Sequence, residues 1–261
     1  MDRFTLANSH TAAYYYPIGC NSQHPFASMA RKSQQGTPEG EEKHNAILDA
    51  AAAVFMRLGF AGTSLDDISD NYGATKGIIY YHFRNKTTLF FSIQRRAMEM
   101  TRLAIEPAAT GPGTARERLH AMAFRHALLL MERLDYLRVA AQGVEFHLSS
   151  RTTADERDEI ARITQLRDKN ERFYVDVVTQ GIDAGEFRRC TPKIAVKALL
   201  GSLNWTSRWY HPRPGEKRAD RERLAEELAQ FALHAFLPER VLKPVPAAAK
   251  TRTRQSPRIA K

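Results

Sequence analysis

The sequence predicts an all-α protein, and three observations carry that prediction. Apolar residues recur at helical spacing from Glu41 onward, two short helical segments meet at a glycine, and beyond Lys86 no stretch alternates in the manner of a strand. The expected architecture is a small three-helix head containing a helix-turn-helix, followed by a larger helical domain. Its bounds are an arm over residues 1–40, the head over 41–86, the larger domain over 87–240 and a basic tail over 241–261.

Each element has a local reason. Residues 1–40 mix Gly, Pro, Ser, Gln and Asn around Tyr14-Tyr15-Tyr16 with no sustained period, which reads as a flexible arm. Met29-Ala-Arg-Lys has the look of a protein start, so residues 1–28 are either an extension set by start-codon choice or a genuine arm. Ile47, Ala51, Val54, Phe55 and Leu58 mark the buried face of the first helix, and Gly59 supplies its stop. Thr63-Ser64 ahead of Asp66-Asp67 is a hydroxyl cap with acids in the first turn, where free N–H groups favour negative charge. Gly73 breaks this second helix, and Thr75 is placed to cap a third that runs through Phe83. Long helices follow over about 87–106, 115–133, 135–148, 154–184, 192–210 and 216–237. Pro107 with Gly111-Pro112-Gly113, the Thr153-x-x-Glu156 capping box, Thr191-Pro192 and the His211 to Gly215 turn mark their ends.

Composition excludes more than it identifies. With 261 residues, 43% hydrophobic and 26% charged, the chain has enough apolar surface for a real core. No uninterrupted apolar run suggests a membrane span and no export signal is visible, so no membrane partner and a cytoplasmic location are expected. Cys20 and Cys190 are too few and too far apart for a disulfide framework or a thiolate site. The histidines lack metal-ligand spacing, and no nucleophile elbow, phosphate loop or dinucleotide fingerprint occurs. Neither enzymatic activity, cofactor nor metal is expected. The net charge of +10 points toward nucleic acid, but six basic residues and no acid lie in 241–261, whereas seven basic and seven acidic residues balance between Arg31 and Lys86. Motif, not net charge, must therefore identify the partner.

The segment from Thr63 through Lys86, Thr-Ser-Leu-Asp-Asp-Ile-Ser-Asp-Asn-Tyr-Gly-Ala-Thr-Lys-Gly-Ile-Ile-Tyr-Tyr-His-Phe-Arg-Asn-Lys, followed by Leu89-Phe90, resembles the DNA-binding domain of the TetR family of transcriptional regulators. The likeness covers about 50 residues, from Ala46 to near Ile93, and spans three helices. It implies a recognition helix in the major groove, with its first turn near base edges and flanking groups on phosphates. The DNA-binding residues expected are Thr63, Thr75, Lys76, Gly77, Ile78, Tyr80, Tyr81, His82 and Lys86. Thr75 and the helix-start amides suit a phosphate, Lys76 a guanine edge or a phosphate, and Gly77 a close approach. Tyr80 and Tyr81 read either as contact residues or as core aromatics. Phe83 and Ile79 read as core. Ile78 departs from the small or hydroxyl residue many relatives carry, and is expected to pack on a thymine methyl group.

The later helices resemble the family's ligand-binding and dimerisation domain. Arg167-Asp168, Gly181 with Gly185-Glu186-Phe187, and Gly201 to Tyr210 look like the subgroup that responds to acyl-coenzyme A esters. What the resemblance implies is an effector-binding and dimerisation domain over 87–240 and a homodimer on a palindromic double-stranded DNA operator. The dimer would form mainly through residues 192–237, and a small lipophilic effector, an acyl-coenzyme A among the candidates, would release a repressor. Asn204, Trp205 and Arg208 are the expected polar and aromatic effector contacts, with Phe124, Leu128, Phe146 and Tyr174 as wall residues. Asn204 and Arg208 also read as pairing residues at an interface. The rival readings are a regulator of the same type answering a different lipophilic compound, and an all-α acyl-binding enzyme or carrier.

Overall fold

The computed structural model describes residues 38–149 and 152–238, with the backbone alone for 38 and 144–149. Among the described residues every regular element is helical: α1 (Pro38–Gly62), α2 (Leu65–Tyr72), α3 (Lys76–His82), α4 (Lys86–Thr110), α5 (Ala115–Glu132), α6 (Leu134–Ser149), α7 (Ala154–Asp183), α8 (Pro192–Trp209) and α9 (Arg218–His234). The arm and the basic tail lie outside the described residues.

Two of the four predicted N-caps form. Ser64 Oγ accepts from the Asp67 amide at 3.1 Å while the Ser64 amide donates to the Asp67 carboxylate at 2.7 Å, which holds that carboxyl below its usual range. Thr153 and Glu156 close the same reciprocal pair on α7. Thr75 does not: it occupies the N-cap position of α3 with extended backbone, yet its hydroxyl makes no capping bond, and Thr191 behaves likewise at α8. Gly59 has the positive φ expected of a stop (72°), but a further turn reaches Gly62 before Thr63 Oγ donates to the Gly59 carbonyl at 2.7 Å.

Pro107 does not end α4, which continues to Thr110. A proline in a helix removes one backbone donor and leaves the carbonyl one turn earlier without it. Here that residue is Leu103, 57% exposed, on the solvent side of the helix. The last turn is held by Thr110 Oγ on the Glu106 carbonyl (2.9 Å) and by Arg118 on the Ala109 carbonyl (3.1 Å).

The buried apolar side chains form two clusters. One joins α1–α3 and the first half of α4 to Leu130, Tyr136, Leu137, Val139 and Ile163. By length and composition α1 would also pass for a membrane-crossing helix, but Ile47, Ala51, Val54 and Phe55 are buried in this cluster. The other cluster lies among α4, α5, α7, α8 and α9. Polar ties hold α6 on both sides. Asp49 of α1 accepts from Arg133 (2.9 Å) and from the Tyr136 hydroxyl (2.7 Å) on the side of the first cluster, and Arg138 donates to the carbonyls of Ser207 and Tyr210, both at 2.7 Å, on the side of the second, closing the C-terminus of α8.

Packing accounts for the Gly181, Gly185-Glu186-Phe187 pattern. A side chain on Gly181 would collide with the Phe187 ring, so glycine there lets the chain fold back against α7. Glu186 then accepts from the amides of Ala115 (3.3 Å) and Arg116 (2.9 Å), placing a carboxylate at the start of α5.

Candidate nucleic-acid interface

Helix α3 is seven residues long and is held by its inner face alone. Ile79 is fully buried and Phe83, just past its end, is 2% exposed; Ile78, Tyr80 and Tyr81 face outward at 40%, 55% and 62%. The core reading of Tyr80 and Tyr81 is thereby excluded, because a helix this short has one face to bury and Ile79 occupies it. Gly73, with φ of 77°, turns the chain between α2 and α3, and its amide donates to Ser69 and Asp70 carbonyls.

The nine residues expected at the DNA fall into two groups. Thr75, Lys76, Gly77, Ile78, Tyr80 and Tyr81 are exposed along α3, with His82 half-buried at its end. Lys76 pairs with Asp66 of α2 at 2.5 Å, two exposed charges whose mutual attraction is small in water and which exchange readily for a phosphate. Thr63 and Lys86 sit beneath. Thr63 is 2% exposed and its hydroxyl is taken by Gly59. Lys86 donates to the Phe60 carbonyl at 2.8 Å and to the Thr63 carbonyl at 2.7 Å, with its ammonium 4.6 Å from the Phe60 ring centroid. An ammonium bridging two carbonyls and resting on an aromatic face ties the α1–α2 turn to the start of α4.

Beside α3 a concavity of about 730 Å³ opens between Lys43 of α1 and the Gly73–Thr75 turn, bordered by Ile78, Tyr81 and His82. Lys43 escaped the sequence reading because its approach to α3 depends on how α1 crosses that helix. Under the concavity His44 stacks on Phe83 at 4.6 Å, and burial, then His82 and the neighbouring Arg96 and Arg95, push its imidazole down to about 4. His82 is lowered as well, by burial and by Lys43. Both rings are therefore neutral near pH 7, and the positive charge at this face comes from lysine.

The expected effector residues do not converge. Tyr174 and Leu128 are core residues, 1% and 8% exposed, and Phe124 is half-buried against the same cluster. The Phe146 side chain lies outside the described residues. Trp205 and Arg208 are exposed on the outer side of α8, Trp205 at 64%. Asn204 is exposed too, yet its side chain hydrogen-bonds to His126 in the interior. Burial holds His126 neutral, down to about 4, and its Nδ1 lies 3.1 Å from the Tyr174 hydroxyl. The apolar side chains of the 192–237 region also divide: Leu199 and Phe236 are internal, whereas Ile194, Trp205, Trp209 and Phe231 are exposed at 66%, 64%, 43% and 70%. Among the described residues, no group of His, Cys, Asp or Glu is placed to hold a metal ion.

Comparison with known proteins agrees with this geometry. Residues 47–93 match the family described as bacterial regulatory proteins, tetR family, and residues 112–236 match the tetracyclin repressor-like C-terminal domain. The chain is 25% identical over 178 residues to the HTH-type transcriptional repressor KstR2 of Mycobacterium tuberculosis, covering 64% of this chain and 80% of that one. Among solved structures, PfmR of Thermus thermophilus superposes with a TM-score of 0.62 at 26% identity, covering 72% of this chain and 97% of that one. AibR in complex with isovaleryl coenzyme A and operator DNA superposes with a TM-score of 0.61 at 22% identity, covering 75% and 98%. A helix-turn-helix with a polar, aromatic outer face and a helical body, matched over both parts, places the chain in the TetR family of bacterial transcriptional regulators.

Proposed function

We propose that the protein is a homodimeric repressor that binds a palindromic operator and is released by a lipophilic effector, with acyl-coenzyme A esters as the favoured class. Residues 41–86 form the DNA-binding unit, and 87–240 the effector-binding and dimerisation unit. The observation that carries the DNA reading is α3, whose outer face presents Thr75, Lys76, Gly77, Ile78, Tyr80 and Tyr81 to solvent while Ile79 and Phe83 hold it in place. The free hydroxyl of Thr75 and the first-turn amides suit a phosphate, Tyr80 and Tyr81 suit sugar and phosphate oxygens, and Ile78 suits a thymine methyl group.

The exposed set Ile194, Ala198, Gly201, Trp205 and Trp209 recurs along one side of α8, and Phe231 projects from α9. Large apolar side chains around small residues suit a second copy of the same surface, and a two-fold dimer matches a palindrome. The effector class is supported by the isovaleryl coenzyme A bound to AibR. Such a regulator works in the cytoplasm, where the chromosome lies. Selection from a random duplex pool is expected to return a two-fold palindrome whose affinity falls steeply with salt and whose complex is dissolved by acyl-coenzyme A. Recovery of an asymmetric site, or of none, overturns the operator reading.

A further inference from the structure

What separates the two apolar clusters is polar. Along α4 the first cluster ends at Ala97 and the second begins at Ile105, with Thr101 buried between them; along α7 Ile163 belongs to the first and Tyr174 to the second, with Asn170 buried between them. Asn170 Nδ2 donates to the Met98 carbonyl at 2.9 Å. One turn before Met98 stands Gln94, 2% exposed, and α6 passes so near that a side chain on Gly143 would collide with the Gln94 amide. One turn after Asn170 the Tyr174 hydroxyl reaches the Met122 carbonyl at 3.3 Å and His126 at 3.1 Å. Polar groups thus follow one another in short steps across α4, α7 and α5.

This seam is incompletely satisfied. Gln94 Nε2 and Asn170 Oδ1 are buried with no hydrogen-bond partner. The Met98 carbonyl accepts only, which fixes the Asn170 amide with its oxygen turned away from that carbonyl. Buried polar atoms are ordinarily paired, so two orphans on facing helices ask for one acceptor and one donor from elsewhere. Among the described residues, none of those buried as a whole is Lys, Arg, Asp or Glu.

We propose that this seam is the ligand site and that the group it reads is uncharged, accepting from Gln94 Nε2 and donating to Asn170 Oδ1, as an amide does. The inference rests on the reading of the chain as an effector-released regulator. A carboxylate finds no lysine or arginine among the described buried residues, and its desolvation goes uncompensated. A coenzyme A thioester brings a neutral carbonyl and the amides of its arm.

The test uses the full chain on its selected palindrome with dodecanoyl and phenylacetyl compounds, each as free acid, primary amide, methyl ester and coenzyme A thioester. Thermal shift reads binding, and loss of the DNA complex reads release. Amides and thioesters are expected to bind and release at pH 7.5, with free acids at least about tenfold weaker and gaining potency as the pH falls toward the carboxyl range. Gln94→Met and Asn170→Leu, tested separately, are expected to lower the potency of the amides by about tenfold or more while operator affinity is kept. Equal potency of acids and amides, or unchanged potency in both variants, overturns the proposal. Thermal shift without release keeps the seam as a ligand site and overturns the effector reading; no binding by any compound overturns both.

Discussion

Helices α3 and α8 both hold aromatic side chains in water, and what lies around those side chains differs. On α3, Tyr80 and Tyr81 share the outer surface with Lys76 and Thr75, near Lys43 across the concavity. On α8, Trp205 and Trp209 share theirs with Ile194, Ala198 and Gly201. An aromatic ring among cations and backbone donors meets a polyanion; the same ring among small apolar residues meets another apolar surface. Exposure alone therefore does not name a partner, and the neighbours do.

The largest expected effect breaks the α8 half of this comparison. Trp205→Glu with Phe231→Glu buries unpaired charge in any apolar contact between copies, at a cost of several kcal/mol. Sedimentation at micromolar concentration should then show a monomer, with operator affinity down by roughly two orders of magnitude. A variant that stays dimeric moves the interface elsewhere.

Next in size is the interior that supports α8. His126, buried and held near 4, has a lower value folded than the ordinary 6.5, so the unfolded chain takes up its proton first as the pH falls. The stabilisation is complete above about pH 6.5 and is lost between there and about pH 4, reaching about 3 kcal/mol at the acid end. Urea unfolding across that range should show the slope in the native chain and a flatter one in His126→Leu.

Lys86 sharpens the α3 half. If its main work is to bridge the Phe60 and Thr63 carbonyls, Lys86→Met costs about 2 kcal/mol of stability, read as a fall in the unfolding midpoint. Weaker operator binding with an unchanged midpoint would make it a phosphate contact instead. Smallest is Ile78→Ala, expected to relax preference at a T·A pair by about 1 kcal/mol with the fold intact. Unaltered preference in a base-substitution series removes the thymine-methyl contact.

Much of this was legible in the sequence, and the reason is locality. The Ser64–Asp67 and Thr153–Glu156 caps, the turn at Gly73, and the contrast of buried Ile79 with exposed Ile78 depend on residues within one turn of each other, where spacing and backbone chemistry suffice. The Thr63 to Lys86 pattern pointed to DNA for the same reason.

Only the tertiary structure decided the rest. Pro107 lies inside α4 because Leu103 faces water and Arg118 of another helix holds the last turn. The ammonium of Lys86 is engaged beneath the recognition helix because α1 ends beside α4, 26 residues away in sequence at Phe60. The Gly181 to Phe187 pattern serves chain reversal and the capping of α5, and the effector residues expected from Asn204 to Arg208 point mostly outward. Periodicity along one helix separates an apolar face from a polar one. It says nothing about which of two apolar faces turns inward on a helix that has both, since that depends on the helices brought against it. The sequence by itself determined the helices, the caps at Ser64 and Thr153 and the outer face of α3; the packing of α4 through α9 determined which apolar side chains remain outside and which polar groups remain inside.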